Sequence, residues 1–487
     1  MKKNQIIFLF LLLTSVLILI FIYLYPDFWN GNSEYEWRVL WHGRKKWAVL
    51  VFFIWIAVLW IFFELGKIVE KIFKGKSGLI FALILFLLGG GAFFVFSQIN
   101  QYASYELLIK VFVPDHNSYY VDALRYRSKK ELANVYKNNL LSLHTHSRTH
   151  PPFVLWLFFR SNEYAQQSQG LKALYKKLVS DQVIKELKRH FQVSLGEQAG
   201  GFLSAIIMLF CGAVSLVLSY FILRRFYPPL FCYFAGLGII SAPIYSLRAP
   251  VMDQVFSIFI LAPCLLVLAK SRSLYLRMIL AGIFLGFGVW MSPGVWSGML
   301  LIFLLLLAEN RQEKKPLKEL FSKEQILGFF LLLLFLFGTI ILISFWMGIS
   351  YLEVFHLNRL GFHFNNQIGG RLHHWKWMLF NPYEYLFWLS LPFIWGLLGK
   401  IIKEIKKFQE KRELEDYFFW TLIGFFLILD LSAQLCYESP RLLWFLSYLV
   451  GASLLSGLFN MKNFHSYKWL IVYSLSGAQT CLFHLIY

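Results

Sequence analysis

The sequence predicts an all-α polytopic membrane protein, a bundle of about 13 transmembrane helices whose large first external loop carries interfacial helices. Three observations carry this prediction. Hydrophobic residues make up 58% of the 487 positions and charged residues only 15%, against about 25% charged in an ordinary soluble domain. The mean hydropathy is +0.57. Apolar runs of about 18–20 residues recur from end to end, each long enough to cross a hydrocarbon core of about 30 Å.

In chain order the runs place spans at 6–25, 47–63, 79–97, 199–222, 230–246, 253–269, 278–290, 295–308, 325–347, 383–399, 417–434, 442–459 and 469–487. The first follows Lys2 and Lys3 like a signal peptide. It has no small-residue cleavage site, and Tyr25-Pro26-Asp27-Phe28-Trp29 comes next, so it reads as a retained helix. Pro293 and Gly294 separate 278–290 from 295–308, which makes that pair either two spans or one broken, re-entrant element.

Charge tests the arrangement, because loops rich in Lys and Arg stay cytoplasmic. With the N-terminus inside, the cytoplasmic segments hold 24 of the 47 Lys and Arg, the short external ones 9, and the long loop 98–198 the other 14. None is left within a span. The net charge of +20 is therefore mostly positive-inside bias. It forms no basic patch interleaved with aromatics, which argues against a nucleic-acid partner. Aromatics at 19% suit interfacial belts and contact with membrane lipids. Cys211, Cys232, Cys264, Cys436 and Cys481 fall in or beside spans with no metal or C-x-x-C spacing.

This topology puts the unusual polar residues on one external face. In the long loop, Pro114-Asp115 and Tyr119-Tyr120-Val121-Asp122 place two carboxylates seven residues apart, just beyond the third span. Either suits a general base or a metal ligand, and Asp115 equally suits the start of a turn after Pro114. Residues 170–191 read as one amphipathic helix lying in the interface, with Leu171, Leu174, Leu178 and Leu187 on one face.

Between them, 144–152 reads His-Thr-His-Ser-Arg-Thr-His-Pro-Pro. His144 and His146 alternate as on an extended segment, and the prolines after His150 keep the chain non-helical there. Three imidazoles are potential zinc ligands, but the spacing matches no standard zinc motif. Local capping by the histidines is one alternative. The preferred reading is an anionic head group held by Arg148 with His150 and His146, Arg148 and His150 ahead of His144, because the guanidinium fork suits phosphate. No cofactor is expected, and a divalent metal is not indicated.

Other external residues fit the theme. Arg248 and Asp253 flank a helix start that Asp253 is suited to cap. Arg371 lies in a loop rich in Asn and His, and Glu438 and Arg441 sit three apart at a helix mouth, as binding groups or as a structural ion pair. Asp430 is within a span, where an ionisable group is costly.

A first external loop with an acidic residue just after a helix, a long interfacial loop and the Arg248-x-x-x-x-Asp253 helix start resemble the GT-C membrane glycosyltransferases. Three segments resemble, more specifically, a bacterial branch of that superfamily: Tyr119-Tyr120-Val121-Asp122-Ala123 with Thr149-His150-Pro151-Pro152 downstream, the Asn-rich loop ending in Asn381-Pro382-Tyr383-Glu384-Tyr385, and Glu438-Ser439-Pro440-Arg441-Leu442-Leu443-Trp444. Phe153 stands where members of that branch carry Gly after His-Pro-Pro.

The resemblance implies a GT-C-like catalytic domain over 79–487, with 1–78 contributing two additional helices. It implies inverting transfer of a sugar from a polyprenyl-phosphate donor to a cell-envelope glycan, lipid or protein. The reaction would take place on the external (periplasmic) face of a bacterial cytoplasmic (inner) membrane. Asp122, or else Asp115, takes the place of the base. Arg148, His150, His146, Arg248, Asp253, Arg371, Glu438 and Arg441 are the candidates for binding substrate and phosphate. A glycan ligase or polymerase using polyprenyl diphosphate carries a similar external loop. A transporter instead buries paired ionisable residues in several spans.

Overall fold

The computed structural model describes residues 3–24, 45–73, 76–99, 103–126, 128–247, 249–270, 273–314, 322–368, 374–411, 414, 416–431, 443–459 and 466–486. Among them every regular element is a helix, and no strand occurs. Five helices are long and apolar enough to cross a membrane: Lys46–Phe73, Gly78–Ile99, Leu195–Leu223, Pro293–Gln312 and Lys323–Met347. A sixth crossing is possible in the bent pair Phe380–Leu389 and Leu391–Glu410. The chain is a multi-pass membrane protein. Helices are the natural choice in lipid, because they satisfy every backbone polar group within one segment. Their outer faces stay apolar, as at Phe345 (83% exposed) and Leu342 (70%).

The chain divides into two compact units. The first comprises residues 1–103, 219–248 and 375–487. In it Lys45–Phe73 packs on Pro229–Ile240 and Ser466–Ile486 through Phe63, Phe234, Trp469 and Tyr473. Leu391–Lys411 packs on Ser447–Leu458. Near the end of that pair Lys400, only 3% exposed, lies 2.6 Å from Asp416, and the Tyr227 hydroxyl donates to the same carboxylate oxygen at 2.8 Å. Buried charge is tolerated there because it is paired and hydrogen-bonded.

The expected span 383–399 is two helices, His374–Leu389 and Leu391–Lys411, bent by 115° about Ser390. Ser390 takes φ +96°, a conformation L-residues avoid. The Gln479 side chain bridges the break, donating to Phe387 O at 2.8 Å and accepting from Leu391 N at 3.1 Å.

The second unit comprises residues 104–218 and 249–374. Leu274–Val289 packs along Lys323–Met347. Gly282 and Gly286 lie against the backbone of Leu332 and Leu336, where a Cβ would collide. This small-xxx-small stripe lets two membrane helices approach closely. The region 278–308 is two consecutive helices, Leu274–Val289 and Ser297–Gln312, joined through a 3₁₀ turn at Pro293–Trp296.

The long polar stretch is helical too: Ala103–Phe112, Pro114–Ala123, Lys129–Asn138, Thr145–Arg148, Pro152–Gln167, Gln169–Leu178 and Asp181–Phe191. Three local expectations change here. The single helix over 170–191 is broken at Val179–Ser180, because the Ser180 hydroxyl accepts from Val183 N and starts a new helix at Asp181. The two prolines after His150 open a helix: Pro151 is extended (φ −59°, ψ 151°) and Pro152 is its first residue, where a missing N–H costs nothing. Only His144 is extended (φ −68°, ψ 166°), and His146 sits within the turn Thr145–Arg148.

Candidate functional site

The helix Pro114–Ala123 sets Ser118 and Asp122 four residues apart, hence on one face. Both receive the turn that carries the histidines. Ser147 N donates to Ser118 Oγ at 3.0 Å, and His144 N donates to Asp122 Oδ2 at 3.0 Å. Ser118 and Ser147 also meet through their hydroxyls at 3.0 Å. The polar side chains of one helix thus replace the missing intrahelical partners of a short turn.

Asp122 is the centre of the cluster. Its side chain has no exposed surface, and its Oδ1 lies 2.7 Å from His144 Nδ1. Arg125 Nη1, on a side chain 47% exposed, lies 3.3 Å from the same oxygen and 3.3 Å from Ser142 O. Arg148 anchors its Nε on Leu143 O at 3.0 Å. Burial pulls the Arg148 guanidinium down from its ordinary value, and the negative charge of Asp122 opposes that. An arginine keeps its proton regardless, so the cluster holds a fixed cation in the field of the carboxylate. Beside them, burial and then the Asp122 charge push the Tyr126 phenol up.

A second group lies around His150. Its Nδ1 is 2.9 Å from the Tyr119 hydroxyl and 3.1 Å from His146 O, and its ring stacks on Phe256 with centroids 5.3 Å apart. The Tyr136 hydroxyl donates to His150 O at 2.7 Å and lies against the Asn358 amide. Burial holds the Tyr136 phenol well above its ordinary value, so it remains a donor. The helix Tyr351–Ile368 presses on the same turn at Gly361, where an added Cβ would lie 2.5 Å from Arg148 O.

Of the expected site residues, the structure sets Arg148 within electrostatic reach of Asp122 and places His146 and His150 on the same turn and its exit. It pairs Asp122 with His144, which the sequence reading set behind Arg148 and His150, and adds Arg125, which that reading did not single out. The Asp122-x-x-Arg125 spacing was the available signal, since residues three apart share a helix face. Asp253 is the first residue of the helix Asp253–Leu268, and Met252 holds the cap position. Asp430 is buried and accepts from Asn381 Nδ2 at 2.7 Å. Arg248, Arg371, Glu438, Arg441 and the Asp115 side chain lie outside the described residues. Among the described residues no three His, Cys, Asp or Glu converge as metal ligands.

The chain matches no family model, no curated protein and no solved structure.

Proposed function

We propose that this protein is a GT-C-like membrane glycosyltransferase. In this reading a bundle of about 13 transmembrane helices carries the Asp122 site on the external face of a bacterial cytoplasmic membrane. A sugar passes there from a polyprenyl-phosphate donor to a cell-envelope acceptor.

One observation supports the reading above the others: a buried carboxylate and a partly exposed imidazole share a hydrogen bond, with the Arg148 cation in the field of that carboxylate. Glycosyl transfer from a lipid phosphate needs these parts. The acceptor hydroxyl must lose a proton to a base within hydrogen-bond reach. The departing phosphate gains charge, which a pre-placed cation stabilises. Direct displacement at the anomeric carbon inverts its configuration. The clustering within residues 118–150 gives the two roles to one short stretch of chain.

The test is transfer of label from polyprenyl-phosphate sugars to envelope lipids and glycans by the purified protein. Wild type is expected to form product. Asp122→Asn should lower turnover by about 100-fold or more, the usual worth of acid–base assistance. A folded Asp122→Asn protein with wild-type turnover contradicts a catalytic role for this cluster. A wild type that transfers no sugar contradicts the reading as a whole.

A further inference from the structure

We infer that His144 is the base that meets the acceptor, and that Asp122 acts through it as a positioning residue. The inference rests on the transferase reading, and it reverses the order of importance that motif position alone gives these residues.

Burial separates the two groups. Asp122 has no exposed side-chain surface, whereas the His144 side chain is 31% exposed. An acceptor hydroxyl arriving from outside can touch the imidazole and not the carboxylate. Both carboxylate oxygens are also engaged, Oδ1 by His144 Nδ1 and Arg125, and Oδ2 by the His144 backbone N–H.

An ionised carboxylate only accepts hydrogen bonds, so the Nδ1 facing Asp122 carries the proton of the neutral ring. The lone pair is then on Nε2, at the opposite side of the imidazole. Nε2 makes no hydrogen bond among the described residues, while Nδ1 has its partner at 2.7 Å. A base held by a third group in a fixed tautomer is the arrangement that nucleophile activation uses on unrelated folds.

Asp122 grips His144 by ring and backbone together, and Ser118 fixes the same turn at Ser147, three residues on. The imidazole is thereby oriented before substrate arrives, which converts binding into alignment.

The acceptor O–H gives its proton to His144 Nε2 while its oxygen bonds to the anomeric carbon. The bond from that carbon to the phosphate oxygen breaks, and its electron pair leaves with the polyprenyl phosphate. The imidazolium formed is stabilised by Asp122, and the new phosphate charge is the one that this proposal assigns to the Arg148 cation.

The experiment uses the full-length protein in detergent or nanodiscs with a labelled polyprenyl-phosphate sugar. His144→Gln is expected to lower kcat by about 100-fold or more with donor KM little changed. In His144→Gly, added imidazole should restore turnover at least about tenfold, more basic imidazoles more effectively. Asp122→Asn, costly in wild type, should cost little more in the His144→Gln background, because residues acting as one unit are not additive. Turnover by His144→Gln within about threefold of wild type overturns the inference while leaving the transferase reading intact. So does a His144→Gly protein that no imidazole restores, or an Asp122→Asn penalty equally large in both backgrounds. A wild type with no transfer overturns the transferase reading, and this inference with it.

Discussion

At the scale of single residues, the site depends on backbone contacts as much as on charge. Gly361 is the clearest case, because its missing Cβ leaves room for the Arg148 carbonyl, with C and O only 3.1 and 2.5 Å from where a Cβ would stand. Backbone cannot rotate out of the way as a long side chain can. Gly361→Ala must shift either the helix Tyr351–Ile368 or the turn that carries Arg148. We expect it to cost about 1–3 kcal/mol of stability, as overpacking does, and, on the transferase proposal, to raise the donor KM severalfold. Gly338→Ala, with open space around it, should be neutral or stabilise by about 0.5–1 kcal/mol. Thermal unfolding and donor titration of both variants check this, and equal behaviour would show that the Gly361 contact is slack. Asp122 was legible from the sequence as a carboxylate just past a span, and Arg148 as the one guanidinium among histidines. Their link to His144 was not, because 22 residues and a helix separate Asp122 from the turn it caps. Arg125 was missed although its spacing from Asp122 is a helical one.

At the scale of elements, the apolar runs were legible because a helix buried or lipid-covered all round leaves an unbroken hydrophobic stretch. The interruptions were not, since they are written in one or two residues. Ser180-Asp181 carries a cap signal inside what periodicity reads as one amphipathic helix. Ser390-Leu391-Pro392 hides a 115° bend, although Pro392 suits the first turn of a new helix. The bend takes Leu391 N out of the helical ladder and leaves Phe387 O with only the tighter bond from Ser390 N at 3.1 Å. Gln479, fully buried, bonds to both groups. Gln479→Leu keeps the volume and removes both partners. It should lower unfolding stability by about 1–3 kcal/mol, the cost of leaving the one buried donor Leu391 N unsatisfied. Unfolding in denaturing detergent reads this directly, and a loss under about 0.5 kcal/mol would mean the broken helix is held by packing alone.

At the scale of the whole molecule, the sidedness of the site depends on helices too short to judge by length. A 12-residue helix such as Pro229–Ile240 rises about 18 Å, less than the hydrocarbon thickness. Between the Asp122 site and the basic segment after residue 312, two helices are long enough to cross, Leu195–Leu223 and Pro293–Gln312. Three shorter apolar ones lie between them, Pro229–Ile240, Asp253–Leu268 and Leu274–Val289. If all five cross, positions 146 and 315 are on opposite faces. If only the two long ones do, both positions are on the same face. The distribution of Lys and Arg favours five crossings, because the segments near 224, 272 and 311–323 then all fall inside. In a background with the five native cysteines replaced, His146→Cys should react with a membrane-impermeant maleimide on intact spheroplasts. Lys315→Cys should react only after the membrane is opened. Labelling of both from outside would remove an odd number of the short helices from the membrane and leave the positive-inside bias unexplained. Labelling of 315 alone would put the Asp122 site in the cytoplasm, where the external-face transferase reading fails.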